Sequence, residues 1–199
     1  MERIVLRPPR TRPLVPAEEE ALVARARGGE PAAFDALVRA HYARIRSTAF
    51  HLLGNPEDAE DLAQECFVRA HGALRWYRGE AGLFAWLRTI LVHLARDRFR
   101  RERRRPAPGP LSGAAEPAVD RGPLVEAGAR ELVQLVAEGL RRLPDPLRIA
   151  FVLRALDGLD YEEVARATGV RPATARTQVM KARRALERFL GPYLAEGER

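Results

Sequence analysis

Residues 106–123, PAPGPLSGAAEPAVDRGP, have no apolar periodicity and are rich in proline and glycine. Proline fixes one backbone dihedral and removes a donor, so neither a helix nor a sheet ladder can run through such a stretch. The chain must therefore fold as two separate units joined by a flexible linker. With 199 residues and 46% hydrophobic side chains, there is enough material for two small cores.

On both sides of the linker the apolar residues return at steps of three and four, the period of an amphipathic helix. The first stripe is Phe34, Leu37, Val38, Tyr42, Ile45, Ala49, Leu52 and Leu53. Gly54 and Pro56 end it and start the next, Ala59, Leu62, Ala63, Cys66, Phe67, Ala70 and Leu74. The loop LRWYRGEAG follows, then a third stripe, Leu83, Trp86, Leu87, Ile90, Leu91, Leu94 and Phe99. Trp86 lies on that stripe and is expected in the core. Beyond the linker come Leu132, Leu135, Val136, Leu140 and Leu143, then Leu147, Ala150, Phe151 and Leu153 up to Gly158. Two helices are expected to close the chain, Tyr161–Thr168 and Pro172–Leu190. No segment alternates with a period of two, so the expected class is all-α. The expected organisation is a basic, proline-rich, disordered arm at 1–16, a helical unit at 17–105, the linker at 106–123, a second helical unit at 124–191 and a tail at 192–199.

Lys and Arg number 34 against 27 Asp and Glu, a formal charge of +7, and the pI is near 10.5. A basic balance favours a polyanionic partner, nucleic acid first. One cysteine, Cys66, excludes an intrachain disulfide and suits a reducing compartment. No apolar run approaches the roughly 20 residues of a membrane span, and the N-terminus lacks the apolar stretch of a signal peptide. A cytoplasmic protein is expected. The histidines, His41, His51, His71 and His93, have no metal-ligand spacing and are expected at the surface or its boundary. No phosphate loop, nucleophile elbow or paired-carboxylate site is visible, so neither enzyme activity, cofactor nor metal is expected.

DYEEVARATGVRPATARTQVMKARRALERFL has the layout of a helix-turn-helix. Asp160 can cap the first helix, with Glu163 at the capping-box position. Ala165 is small where two helices cross. Gly169 falls at the turn, where a left-handed backbone favours glycine. Pro172 suits the first turn of the second helix. That helix would bury Ala175, Val179, Ala182, Leu186 and Phe189 or Leu190 and expose Arg171, Thr174, Arg176, Thr177, Gln178, Lys181, Arg183 and Arg184. Such a face donates to phosphates and to base edges in the major groove.

In the first unit, NPEDAEDLAQECFVRAH at 55–71 and RGEAGLFAWLRTILVHLARDRFRRERRR at 78–105 resemble domain 2 of the bacterial sigma-70 superfamily. LRRLPDPLRIAFVLRALDGLDYEEVA and the helix-turn-helix resemble its domain 4. The whole chain is similar to the smallest class, the extracytoplasmic-function (group IV) sigma factors. The resemblance implies that Asp58, Asp61, Leu62, Gln64, Glu65 and Phe67 dock on the largest subunit of core RNA polymerase, and that domain 4 also grips the second-largest. It implies that the recognition helix, the second helix of the helix-turn-helix, reads the −35 promoter element. It further implies that Trp76, Tyr77, Arg78, His93, Arg96, Asp97, Arg100 and Arg101 bind and melt the −10 element, aromatic faces stacking on unstacked bases. Promoter DNA and core polymerase are the implied partners, an anti-sigma protein is common in the family, and the free protein is expected to be monomeric. Val92 and His93 stand where the family has Arg–Asn, and Gln178 where it has Arg; both change which bases could be read.

Two other classes fit parts of the chain. A regulator with an N-terminal sensor or dimerisation domain would explain the helix-turn-helix. It would not explain an aromatic loop beside an Arg-rich helix. An adaptor protein would not need two basic helices.

Overall fold

The computed structural model describes residues 14–79, 82–104 and 127–196, with side chains in the last stretch described from 134 to 193. The expected linker, residues 1–13 of the arm, residues 197–199 and the side chain of Leu132 lie outside the described residues. The described residues hold eight α-helices and no strand: α1 Pro16–Arg27, α2 Pro31–Leu53, α3 Pro56–Ala73, α4 Leu83–Arg104, α5 Ala127–Arg141, α6 Asp145–Phe151, α7 Tyr161–Thr168 and α8 Pro172–Glu196. A 3₁₀ turn, Leu74–Trp76, follows α3, and a π-helical turn, Val152–Leu156, follows α6.

The boundaries follow local chemistry. Proline opens α1, α2, α3 and α8, where its missing N–H costs nothing. Asn55 caps α3 by accepting from the amides of Glu57 (2.8 Å) and Asp58 (3.2 Å). Gly54 closes α2 in the left-handed region at φ 71°.

Two boundaries differ from expectation. α1 begins at Pro16, inside the expected arm, because proline is preorganised for a first helical position and Leu14 packs on the core just ahead of it. α8 runs to Glu196, through Pro192 and most of the expected tail. Gly191 has no Cβ to clash with the proline ring, and this end of the helix is exposed, so water can take the carbonyl that Pro192 leaves unpaired.

Helices α1–α4 pack together around Leu37, Ile45, Leu52, Leu87 and Leu91, and α5–α8 around Leu140, Ile149, Leu153 and Val164. The two groups also touch, and their buried residues form one continuous cluster rather than two isolated cores. α4 lies against α6 and α7, and α2 against α5 and the π-helical turn. Arginine makes much of this contact. Arg148, 8% exposed, donates to the Leu52 carbonyl at the end of α2 (3.0 Å) and to the Arg141 and Leu143 carbonyls (2.9 and 3.1 Å). It thereby caps two helix C-termini, where cations are favoured. Thr48 of α2 donates to the Asp157 carboxylate at 3.0 Å, and burial holds that carboxyl above its ordinary range.

Candidate nucleic-acid interface

The helix-turn-helix forms where its residues placed it. Asp160 accepts from the Glu163 amide (2.8 Å), and Glu163 accepts from the Asp160 amide (2.9 Å), a complete capping box. Gly169 takes φ 65°, and the following amide, Val170, bonds back to the Ala165 carbonyl (3.1 Å). Ala165 and, on α8, Ala175, Val179, Ala182 and Leu186 are buried. Arg171, Thr174, Arg176, Thr177, Lys181 and Arg184 are exposed, and Gln178 is half-buried. Two of these have partners already: the Thr177 hydroxyl donates to the Ala173 carbonyl (3.0 Å), and the Arg176 guanidinium lies 5.1 Å from the Tyr161 ring centre.

The second surface begins at the 3₁₀ turn. Leu74 is buried and anchors it, while Trp76 stands 70% exposed with the Arg75 guanidinium 4.9 Å from its ring centre. Tyr77 is half-buried and tilted against Trp86 with ring centres 5.2 Å apart. Trp86 packs against the core as its stripe suggested, but only with part of its surface. It is half-buried and walls a cavity of about 350 Å³, together with Trp76, Tyr77, Arg78, Arg88 and, from the second group, Glu163 and Arg166. The period of a helix separates inward from outward but cannot show that an inward face meets a gap. Arg78 is exposed at the mouth. Arg88 is 6% exposed, and its Nε has no hydrogen-bond partner among the described residues.

Farther along α4, His93, Arg96, Asp97, Arg100 and Arg101 recur at steps of three and four, forming one outward stripe. Their environments differ. His93, Arg100 and Arg101 are exposed, whereas Arg96 and Asp97 are half-buried. Asp97 pairs with Arg100, and Arg101 donates to the Asp97 carbonyl at 3.4 Å. Val92 is fully buried, so it serves the core.

On α3 the expected docking set divides. Asp61 and Gln64 are exposed, and Glu65 is partly so with Arg69 bonded to it at 3.1 Å. Asp58 is half-buried and tied to Arg98 of α4. Leu62 and Phe67 are buried against α2 and α4, so they hold the helix and offer no surface to a partner, which corrects their place in the set. Val68 was passed over. It lies 72% exposed on the face of Asp61, Gln64 and Glu65, and the signal was there: it falls off the apolar stripe of its own helix.

The interior titratable groups are structural. Cys66 is fully buried, its thiol donates to the Leu87 carbonyl (3.3 Å), and burial pushes its pKa up to about 12. His41 is not at the surface: it is buried with its Nε2 2.9 Å from a Glu19 carboxylate oxygen, and burial holds it below the ordinary imidazole range.

A sequence model of sigma-70 region 2 matches residues 37–105, and one of sigma-70 region 4 matches residues 134–186. The chain is 28% identical over 191 residues to the RNA polymerase sigma-H factor of Pseudomonas aeruginosa, covering 92% of this chain and 99% of that one. It is 31% identical over 184 residues to the ECF RNA polymerase sigma-E factor of Escherichia coli K12, covering 88% of this chain and 96% of that one. Among solved structures, its backbone is similar to the sigma factor RpoE of Bartonella quintana, solved with the anti-sigma factor NepR. That likeness has a TM-score of 0.63 and 25% identity over 79% of this chain and 96% of that one. With both regions matched in order and near full-length similarity to relatives of one kind, the chain belongs to the ECF group of the sigma-70 family of RNA polymerase sigma factors.

Proposed function

We propose that this chain binds core RNA polymerase and places it on promoters through two DNA surfaces of different kinds. Residues 124–191 read duplex DNA at the −35 element through the exposed face of α8, Arg171, Thr174, Arg176, Thr177, Lys181 and Arg184, with Gln178 at its edge. Residues 17–105 hold the −10 element open. Trp76, Tyr77 and Arg78 take the displaced strand, and His93, Arg96, Asp97, Arg100 and Arg101 follow its backbone along α4. Single-strand capture drives melting by mass action, because only the open form is held. Asp61, Gln64, Glu65 and Val68 form the polymerase-docking face of α3, with α5–α8 gripping the second-largest subunit.

The observation that supports this most is the pairing of Trp76, largely exposed beside arginines, with a basic helix-turn-helix on the same chain. An exposed aromatic face beside arginines suits stacking on an unpaired nucleobase while the cations meet its phosphates. The bond-making chemistry belongs to the polymerase, so the chain itself is not an enzyme. No described helix is long and apolar enough to cross a membrane, and the protein works in the cytoplasm beside the polymerase. When free it is a monomer, and an anti-sigma protein is a candidate regulator. In vitro transcription with core polymerase on fragmented genomic DNA tests the proposal. Discrete start sites that need this protein are expected. Tight duplex binding by the protein alone, with no new starts, would point to a conventional regulator.

A further inference from the structure

α1 lies ahead of residue 37, where the matched sigma-70 regions begin, yet it touches both ends of the aromatic connection between α3 and α4. Arg27 donates from Nε to the Leu74 carbonyl (3.1 Å), at the start of the 3₁₀ turn, and its guanidinium lies 5.8 Å from the Tyr77 ring centre. Glu19 accepts from the Leu83 amide (3.0 Å), the first amide of α4. That amide has no partner within its own helix. The other oxygen of Glu19 faces His41 of α2 at 2.9 Å. Both partners are main-chain atoms, so their positions set the path of the backbone rather than one rotamer.

We infer that α1 is a brace for the strand-capturing loop, with Glu19 and Arg27 as positioning residues that hold its two ends. Glu19 and Arg27 are eight residues apart. A helix is a stiff ruler, and eight residues span roughly 12 Å of it. Leu74 and Leu83 are therefore tied to two points on one rigid rod, with Trp76 and Tyr77 between them. Burial of Val23 between the two contacts fixes the rod on the core. Without the ties, the turn that carries Trp76 and Tyr77 would sample more backbone paths. Trp76 would then have to be ordered at the moment a base stacks on it, at the expense of single-strand affinity.

The inference rests on the reading of Trp76 as a stacking platform, and the experiment separates the two. Holoenzyme is assembled from core polymerase and the full-length chain carrying Glu19→Ala, Arg27→Ala, both, or Arg27→Lys, each with and without Trp76→Ala. Affinity is measured for a single-stranded oligonucleotide carrying the non-template −10 sequence and for a duplex carrying the −35 sequence. Circular dichroism melts check folding. The double variant is expected to lose about tenfold in single-strand affinity, the scale of one lost base stack. Binding to the duplex and to core polymerase should not change. Arg27→Lys, still a donor, should recover part of the loss. On the Trp76→Ala background the α1 substitutions should add nothing, because both act through the same loop. Additive losses, or no loss in the α1 variants while Trp76→Ala weakens binding, would overturn the brace. A Trp76→Ala protein with unchanged single-strand affinity would overturn the loop assignment and the brace with it.

Discussion

The two surfaces proposed to bind DNA are built in different ways. The helix-turn-helix is assembled from neighbours in sequence. Its cap, turn and first proline all lie between Asp160 and Pro172 and are satisfied by residues a few positions away, while the buried stripe of α8 packs on α5, α6 and α7. The loop proposed to capture the strand is assembled from afar. Its ends are tied to α1, its inner wall comes from α4, and the far side of its cavity is closed by Glu163 and Arg166 of α7. A duplex offers a preformed major groove, so a helix presented by its own domain suffices to enter it. A single strand has no shape of its own, so the protein must supply one, and a short loop can only be shaped by other elements.

The contrast can be broken most sharply at Ala175. It is fully buried on α8, and Ala175→Asp would place an unpaired carboxylate there. A loss of about 3 kcal/mol or more in urea unfolding is expected, with duplex binding abolished. Single-strand binding should survive if the two surfaces are separate in function. Losing both together would mean that the contact between α4 and α7 makes them one device.

Smaller effects should follow from the local signals. Asp160→Ala removes the cap of α7 and should cost about 1 kcal/mol. Gly169→Ala forces a Cβ into the left-handed region and should cost about the same. Both are read as shifts in the urea midpoint and should weaken duplex binding more than single-strand binding.

Acid should act on the other surface. All four histidines precede residue 94, so none lies in the helix-turn-helix. Burial lowers the proton affinity of His41 and His51 in the folded chain, so the unfolded chain takes up protons first. Stability is therefore full above the ordinary imidazole pKa of about 6.5 and falls as pH drops below it. His41→Gln should flatten that dependence in urea titrations between neutral and mildly acid pH. An unaltered slope would show that His41 does not carry it.

The mildest test concerns charge alone. Arg176→Ala and Lys181→Ala should each reduce the salt slope of duplex binding by about one unit if each side chain meets one phosphate. Arg176 rests on Tyr161, so a change at Lys181 alone would indicate that this stacking persists on DNA.

The same contrast explains what could be read from the sequence. The all-α class, the capping box at Asp160 and the turn at Gly169 rest on spacings of four residues or fewer, and sequence displays those directly. Burial of Val179 and Leu186 follows from helical period alone. Sequence spacing failed wherever the deciding partner was distant. His41 was expected outside, but Glu19, more than twenty positions earlier, closes over it. Trp86 was assigned to the core and does pack against it, but it also lines a cavity whose other walls include Arg166 of a distant helix. Arg88 and Arg148 look like ordinary surface cations in sequence, and both are buried where the two helix groups meet. Leu62 and Phe67 carried a polymerase-docking role from the resemblance, while their own apolar period already placed them inside.

The most direct measurement is a pair of affinities for two holoenzymes, one with Trp76→Ala and one with Arg176→Ala. Each is titrated with the single-stranded −10 oligonucleotide and with the duplex −35 fragment. The account predicts a crossed result: Trp76→Ala weakens only single-strand binding, and Arg176→Ala weakens only duplex binding. Equal losses on both ligands in either variant would contradict the division of labour between the loop and α8.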